Sequence, residues 1–372
     1  MLRFADMMLG AIGAQGVRVE LIQPQIRLGR WTKGRGEAAK WLGYMDKFLL
    51  FPRVLRSRIN AIRGEAHEPL IVHICDHSNA MFVRALNGAD HLLTCHDLMA
   101  VQLARGLLPG PRVRATGRQL QRLICGGLER ARRIVCDSEN TRRDLHKVCR
   151  LDRVETSVIH IQLNFPFRRM PARAAREAVG ALIPSNDRPL VLHVGNNSWY
   201  KNRDGVLRIF QSARRKAGLA HPRLVIVGHE MSAGQKEFMA ANGMTDDVTW
   251  VPSPETVVVQ AFYSLASVFL FPSLYEGFGW PPLEAQACGC PVVASTGGGL
   301  AEVLEDSALL AAPDEEAILA GHVADLLAQP ALREKMIAKG TRNVERFQPP
   351  CMIDAYMNLY GAIAGRPGKG GE

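Results

Sequence analysis

Short runs of apolar residues alternate with helical patterns along almost the whole chain. The runs are rich in Val, Ile and Leu and do not alternate with polar residues, which is typical of strands buried on both faces of a parallel sheet. Ten runs have this character: 17–22, 70–75, 91–96, 132–137, 156–161, 189–194, 223–228, 247–251, 267–271 and 291–295. Helical patterns lie between them, for example at 116–131, 203–217 and 315–328. This repetition predicts an α/β fold with parallel sheets.

The strand–helix series occurs twice, and a segment rich in proline and arginine separates the two series. We therefore predict two doubly wound, Rossmann-like domains that face each other across a cleft, with the ligand site at the carboxyl ends of the strands. The predicted boundaries are 1–170 for the first domain, 171–187 for the linker and 188–348 for the second domain. We expect 349–372 to form a C-terminal helix that can cross back to the first domain, and a flexible tail.

The chain opens on a helical pattern, whereas a doubly wound domain usually opens on a strand. Leu2, Met7, Leu9 and Ile12 form one face of this expected helix, which ends at one of the glycines that follow. The first strand of the first domain is therefore missing from the pattern. Either the domain lacks that strand or the reading frame begins too late. In the second case, we expect upstream codons to encode an apolar strand and a glycine-rich turn.

Charge is distributed unevenly along the 372 residues. Residues 1–180 contain 30 Lys and Arg against 16 Asp and Glu, whereas 181–372 contain 16 against 20. A basic half suits an anionic partner such as a nucleic acid, an anionic lipid surface or a phosphorylated substrate, although a solvated arginine-rich surface is an equal alternative. No nucleic-acid recognition motif accompanies the charge, so we expect no nucleic acid among the partners.

The cysteines and the apolar runs indicate a cytoplasmic protein. The eight cysteines show no zinc-ligand spacing, and unpaired cysteines in buried strands suggest a reducing compartment. We find no signal peptide, and the longest apolar run, 257–271, is predicted to be a helix followed by a strand. The stretch 41–63 is amphipathic and basic. It can rest on the inner face of an anionic membrane, or it is a surface helix broken at Pro52.

The most informative stretch is PSLYEGFGWPPLE at 272–284, which follows a buried strand. Pro281 and Pro282 suit the first turn of a helix, so the preceding residues form a loop at the carboxyl end of a strand. Glycines in that loop let the backbone approach a ligand, and N–H groups at a helix start can bind anions. Glu276 and Glu284 can each accept hydrogen bonds from neighbouring hydroxyls, such as those of a sugar. Alternatively, Glu284 only interacts favourably with the helix dipole.

Two further loops follow strands of the same predicted sheet. In HVGNNSWYKN (193–202), Gly195 and Asn196 begin a loop, and Lys201 adds a cation before a helix. Loop amides, a helix start and a cation suit a diphosphate, although a basic helix cap is an equal alternative. The third loop is STGGGLAEV at 295–303. The chain contains neither the P-loop motif nor the GxGxxG dinucleotide motif.

The first half contributes two strand ends with polar residues. In TCHDL (94–98), His96 can contact a reacting sugar or an acceptor hydroxyl, although a lone histidine is more often structural. CDSENTRRDL (136–145) is predicted to be a strand end, a Ser138 cap and a plain helix start.

These stretches together resemble the family-4 retaining glycosyltransferases of the GT-B fold. The signature is FPSLYEGFGWPPLEAQACGCPVVAS (271–295), in which seven residues separate two glutamates around a Gly-Phe-Gly turn. GGGLAEV, HVGNNSWYKN, LVIVGHE, TCHDL and RRIVCDSENTRRDL are similar to other landmarks of the family in the correct order. The resemblance implies that Glu284 binds the ribose diol of a nucleotide-sugar and that Lys201 binds its diphosphate.

The resemblance also implies how the remaining residues act. Glu276, Gly277, Phe278 and Gly279 match the residues that contact the donor sugar, and His96 matches a histidine near the cleft of the first domain. An arginine that often helps to bind the diphosphate is replaced by Asn196, next to Gly195. The loop VIHIQLN (158–164) also departs from the family pattern. We therefore predict Glu276, His96 and Lys201 as catalytic residues.

The predicted activity is the transfer of a sugar from a UDP- or GDP-sugar to a glycan, lipid-linked or other hydroxyl acceptor, with retention of configuration, in polysaccharide or glycoconjugate biosynthesis. In the family a departing phosphate oxygen helps to deprotonate the acceptor. Lys201 and backbone amides can stabilise the leaving diphosphate without a metal, and the chain contains no Asp-x-Asp motif, so we expect neither a metal nor a cofactor. The alternative is a truncated, catalytically impaired protein that binds a nucleotide-sugar or a partner. A phosphorylase or a sugar-nucleotide epimerase on the same fold is a further alternative.

Overall fold

The computed structural model describes residues 2–25, 42–43, 45–65, 69–184, 188–216 and 221–365. Its strands form two separate parallel sheets. The four-stranded sheet has the order β1-β2-β3-β4 and contains β1 (Ile71–Ile74), β2 (Asp90–Cys95), β3 (Arg133–Cys136) and β4 (Glu155–Val158). The six-stranded sheet has the order β10-β9-β8-β5-β6-β7 and contains β5 (Leu190–Val194), β6 (Arg223–Val227), β7 (Val248–Val251), β8 (Val268–Phe271), β9 (Val292–Ser295) and β10 (Leu309–Ala311). We call the chain through β4 the amino-terminal half and the chain from β5 the carboxyl-terminal half.

Helices connect the strands in both halves, as parallel pairing requires. The α-helices of the amino-terminal half are α1 (Leu2–Gly13), α2 (Phe51–Glu65), α3 (Met99–Ala104), α4 (Ala115–Leu128) and α5 (Glu139–Val148). A further helix, α6 (Ala172–Val179), lies between the halves in sequence, inside the predicted linker. The carboxyl-terminal half contains α7 (Arg203–Arg214), α8 (Ala233–Ala241), α9 (Thr256–Leu265), α10 (Trp280–Ala287), α11 (Leu300–Leu304), α12 (Glu316–Ala328), α13 (Pro330–Glu345) and α14 (Pro349–Ile363).

Nine of the ten apolar runs are strands, and the prediction for 17–22 is wrong. Val17, Val19 and Leu21 are 40 to 43% exposed in an extended segment without strand pairing. In a doubly wound sheet, the strand after the first helix pairs with the first strand. Since the described residues contain no strand before β1, this run has no neighbour with which to form a ladder. The short strand β10 was not predicted because three residues carry too little pattern.

The opening helix is confirmed, but its inward face differs from the predicted one. Phe4, Met8 and Ile12 are buried at i, i+4 and i+8, whereas Met7 and Leu9 are only half-buried. Next to Pro52, where the surface-helix alternative placed a break, the helix changes type rather than ending. A π-helical turn at Asp46–Leu50 precedes α2, and proline is tolerated in the first turn of an α-helix. Trp41 and Tyr44 of that stretch lie outside the described residues.

The last helix, α14, lies against the amino-terminal sheet. The hydroxyl of Tyr356 is 3.0 Å from Thr94 Oγ1, and that of Tyr360 is 2.7 Å from His73 Nδ1. The ring of Phe4 packs beside Tyr356. One cluster of buried apolar side chains contains residues from both sheets, α1 and α14. No helix in the described part of the chain has both the length and the apolar character that a membrane span requires.

Candidate active site

Three loops at the carboxyl ends of β5, β8 and β9 are hydrogen bonded to one another. The N–H of Leu274 donates to Tyr200 O at 2.7 Å, which joins the loop after β8 to the loop after β5. The N–H of Gly299 donates to Glu276 O at 2.8 Å, which joins it to the loop after β9. These bonds form because the three strands are adjacent and parallel in the sheet.

Lys201 and Glu276 form an ion pair where the first two loops meet. The Nζ of Lys201 lies 2.7 Å from Glu276 Oε1, and the two side chains are 12% and 11% exposed. Lys201 ends a short 3-10 turn, and Asn202 after it has φ of 52° and caps α7 through its side chain. The Nζ is also 4.8 Å from the ring centroid of Phe271. The predicted cation therefore lies beside the predicted sugar-binding carboxylate.

Glu284 lies in the first turns of α10, which begins with prolines in its first turn as predicted. Its carboxylate is almost fully buried and accepts a hydrogen bond from the Tyr263 hydroxyl at 3.0 Å. Burial raises the pKa of Glu284 to about 7, although the Tyr263 bond and the charges of Arg3 and Lys201 act in the opposite direction. The structure therefore adds Tyr263 and Arg3 to the surroundings of Glu284. The sequence carried no signal for either residue.

The Gly-Phe-Gly turn is pressed against the amino-terminal half. A Cβ on Gly277 would collide with the carbonyl oxygen of His96, and Gly279 has φ of 111°, which favours glycine. Phe278 points inward, with its ring 5.5 Å from that of Phe347. Phe278 therefore contributes its backbone, rather than its ring, to the surface of the turn.

Gly195 and Asn196 are engaged within their own loop. The N–H of Gly195 donates to Val227 O at 3.0 Å, and the Oδ1 of Asn196 accepts from the Ser198 N–H at 3.0 Å. The guanidinium of Arg203 is buried and donates to Gly195 O and to His229 O, each at 2.6 Å. Arg203 therefore stabilises this loop. The N–H groups that it donates to the two carbonyls are not available to Glu276.

His96 lies at the end of β2, where both of its ring nitrogens are hydrogen bonded within the amino-terminal half. Its Nδ1 is 2.6 Å from Asp137 Oδ2, and its Nε2 is 2.9 Å from Cys75 O. The ring of Phe4 packs edge-on at 4.8 Å between centroids. Burial lowers the pKa of His96, but the charge of Asp137 and its hydrogen bond outweigh burial and raise the pKa to about 9. His96 is therefore an imidazolium at neutral pH and donates both hydrogen bonds.

Two residues inside the quoted motifs join the halves, although sequence reasoning gave them no role. The hydroxyl of Tyr275 contacts Asp144 on α5, and the carboxylate of Glu302 accepts hydrogen bonds at the start of the same helix. Among the described residues, no three His, Cys, Asp or Glu side chains are grouped to hold a metal ion.

Two family models match successive parts of the chain. The model for Glycosyltransferase Family 4 matches residues 3–161, and the model for Glycosyl transferases group 1 matches residues 177–343. The second match contains Lys201, Glu276 and Glu284. Both models are named for glycosyltransferases, and each matches less than half of the chain.

Curated relatives of the chain include two named glycosyltransferases. It is 30% identical over 280 residues to a D-inositol 3-phosphate glycosyltransferase of Mycolicibacterium paratuberculosis, covering 70% of this chain and 60% of the relative. It is also 30% identical over 186 residues to an O-antigen chain mannosyltransferase B of Escherichia coli, covering 45% of each chain. The chain thus spans about half of the length of these relatives.

A solved structure shows the same architecture as this chain. Sucrose-phosphate synthase from Thermosynechococcus elongatus superposes with a TM-score of 0.66 at 24% identity, covering 84% of this chain and 79% of that one. With the two parallel Rossmann-like sheets, this likeness shows that the fold is GT-B, as predicted.

Proposed function

We propose that this chain transfers a sugar from a nucleotide-diphospho-sugar to a hydroxyl group of a glycan or lipid-linked acceptor. The observation that carries the proposal is the buried Lys201–Glu276 ion pair at the junction of two strand-end loops. Ligands of such sheets bind at this edge, and a cation beside a carboxylate suits a diphosphate next to sugar hydroxyls. The names of the two curated relatives support a sugar-transfer reaction, and that of the mannosyltransferase supports a role in polysaccharide or glycoconjugate biosynthesis.

Each residue near the pair has a proposed role toward the donor, which we take to be a UDP- or GDP-sugar. Glu284 accepts hydrogen bonds from the ribose hydroxyls in exchange for the Tyr263 bond. Lys201 moves from Glu276 to the diphosphate, and Glu276 is then free to accept hydrogen bonds from the sugar. The backbone of Gly277–Gly279 and of the loop that begins at Gly195 and Asn196 lines the remainder of the site.

We propose a reaction with retention of configuration and without a metal or cofactor. Departure of the diphosphate develops negative charge, which Lys201 and backbone N–H groups can stabilise. The departing phosphate oxygen accepts the acceptor's proton, so no carboxylate is needed as a base. His96 contributes the positive charge that Asp137 maintains on it. For His96 to contact a substrate directly, its Nε2 has to give up the hydrogen bond to Cys75 O.

The donor assignment is tested by a thermal-shift screen against UDP-, GDP- and ADP-sugars. A ligand that binds only the folded state at 100 times its Kd stabilises by about 2.7 kcal/mol, which we expect to raise Tm by about 4 °C. Glu284→Ala and the shape-preserving Glu284→Gln should abolish the shift, whereas Glu345→Gln, an exposed position on α13, should retain it. A full shift in both Glu284 variants would remove the ribose contact from the proposal.

A turnover assay distinguishes sugar transfer from donor binding without a reaction. Release of free nucleoside diphosphate that depends on an added acceptor supports the proposed reaction. Donor binding without transfer to any glycan or lipid-linked acceptor would instead identify a protein that binds a nucleotide-sugar without catalysis.

We also propose a cytoplasmic location with peripheral contact at an anionic membrane, through the outer face of α2 and the turn before it. Leu49 is 52% exposed and Val54 is 38% exposed there, beside the exposed Arg53 and Arg56. The opposite face of α2 packs into the core through Phe51, Leu55 and Ile59. Only the outer face is therefore available to lipid.

A further inference from the structure

Helix α5 belongs to the amino-terminal half, but its first turn is capped by a side chain of the other half. The carboxylate of Glu302 accepts the N–H of Glu139 at 2.8 Å and that of Asn140 at 3.0 Å. The first N–H groups of a helix have no partner within the helix, and a negative charge at this end is favourable. Glu302 thus satisfies two donors of α5 across the boundary between the halves.

A third donor fixes the orientation of the same carboxylate. His160 follows β4, and its Nε2 lies 2.9 Å from Glu302 Oε1. Burial raises the pKa of Glu302, but the bonds from His160 and from the two backbone N–H groups together lower it below its ordinary value. Glu302 is therefore an ionised acceptor, two of whose partners lie on α5 and the third, His160, directly after β4.

Tyr275 forms a second contact with the amino-terminal half. Its buried hydroxyl contacts Asp144 and lies 3.3 Å from both Asn140 Nδ2 and Gln102 Nε2. Asn140 is also one of the backbone donors to Glu302, so the two contacts meet on the first turn of α5. Tyr275 directly precedes Glu276 in the chain.

The cap of α5 is also bonded to the Glu276–Gly279 turn, which we call the donor turn after its proposed role. Ser138 caps α5 by accepting the N–H of Thr141, and its hydroxyl donates to Gly277 O at 2.7 Å. On the other side, the N–H of Gly299, at the N-cap of the helix that carries Glu302, donates to Glu276 O. The start of α5, the donor turn and the Glu302 helix are therefore joined by consecutive hydrogen bonds.

We propose that Glu302 and Tyr275 are positioning residues that lock α5 onto the Glu276–Gly279 turn and so set the spacing of the two halves during sugar transfer. Neither residue has to touch a substrate for this role. The expected effect on kcat rests on the proposed function. The lock, by which we mean the contacts of Glu302 and Tyr275 between the two halves, does not.

The kinetic test compares Glu302→Gln and Tyr275→Phe with Glu345→Gln, a matched substitution on the exposed face of α13. Gln at 302 cannot supply a charged acceptor to three donors, and Phe at 275 cannot bond to Asp144. We expect each of the two variants to lower kcat about tenfold, with donor Kd changed by less than about twofold, because the donor contacts stay in place. Glu345→Gln should behave as the wild type.

Small-angle X-ray scattering of the same proteins measures the lock without reference to activity. We expect a larger radius of gyration for Glu302→Gln, and a further increase for the double variant with Tyr275→Phe, at unchanged far-UV circular dichroism. Unchanged scattering in both variants would overturn the lock, even if kcat falls. Larger radii in a protein that transfers no sugar to any acceptor would retain the lock and reject the proposed function. Equal losses in kcat, donor affinity and Tm would show a merely structural role.

Discussion

At the scale of single residues, the site contains two groups whose pKa values are raised for different reasons. Burial raises the pKa of Glu284 to about 7, so its carboxylate lies near the balance between its two forms at neutral pH. Asp137 raises the pKa of His96 to about 9 in spite of burial. A hydroxyl-rich ligand that donates to Glu284 favours its ionised form. Binding of such a ligand would therefore be linked to loss of a proton from Glu284.

The His96–Asp137 pair predicts a specific dependence of stability on pH. Because the folded pKa of His96 is about 9 against 6.5 for the free group, its contribution is complete below pH 6.5 and is lost as pH rises through about 9. Its magnitude is on the order of 3 kcal/mol. Asp137→Asn removes the charge that holds the proton. We expect the Tm difference between wild type and this variant to shrink from pH 7 to pH 9.5, in differential scanning calorimetry.

The comparison with Asp137→Asn, rather than the pH range alone, identifies the group, because Cys125, whose pKa is lowered to about 7, is present in both proteins. The raised pKa of Glu284 acts between 4.5 and about 7, so it does not produce a change above pH 7. A Tm difference that stays constant across the higher range would show that Asp137 does not hold a proton on His96.

At the scale of elements, the donor turn and the end of β2 approach too closely for a side chain between them. A Cβ on Gly277 would overlap the carbonyl oxygen of His96 and lie 2.9 Å from Asp97 Cβ. The glycines of the loop after β9 serve the same purpose, since a Cβ on Gly298 would overlap Glu276 O. The glycine pattern in the sequence therefore reports backbone packing between loops, in addition to access for a ligand.

Gly277→Ala tests this contact. The backbone of β2 cannot yield easily, so we expect a loss of about 1 to 3 kcal/mol in the free energy of unfolding, together with weaker donor binding. Urea denaturation measures the first and the thermal-shift screen the second. The control is Gly234→Ala near the start of α8, where the added Cβ has no described atom within 4 Å apart from its chain neighbours and the backbone of its own helix. Equal stability of the two variants would contradict the close approach.

At the scale of the whole molecule, the basic amino-terminal half carries the candidate membrane face. Vesicle sedimentation of the double variant Leu49→Ser, Val54→Ser tests it, with Ile318→Ser as the control because Ile318 is 46% exposed on α12 of the other half. We expect the double variant to bind anionic vesicles at least about threefold more weakly than the control does, since apolar insertion and charge act together. Equal binding by both variants, or equal binding to neutral vesicles, would exclude this face.

Much of the architecture was predictable because each buried strand is encoded by its own contiguous apolar run. The two exceptions arise from a missing partner strand in one case and from a very short strand in the other. The run at 17–22 has strand composition but no neighbour among the described residues, and β10 has three residues and thus little pattern. A strand depends on its partner, whereas a helix such as α1 forms its hydrogen bonds within itself.

The positions of the loops at the site were predictable from the sequence, but the side-chain contacts between them were predictable only in part. Glycine and proline spacing located the turn at Gly277 and Gly279 and the start of α10, because these residues act on their own backbone. The roles of Tyr275 and Glu302 were missed, since each depends on a partner more than 100 positions away in the chain.

By itself, the sequence determined the order of most strands and helices, the three loops at one sheet edge and a resemblance to glycosyltransferases. Tertiary structure decided which side chains meet. Lys201 pairs with a carboxylate 75 positions away, and His96 is charged by an aspartate 41 positions away. Local pattern encodes local backbone geometry, but an ion pair or a shifted pKa depends on distances and burial that exist only after the two sheets have packed together.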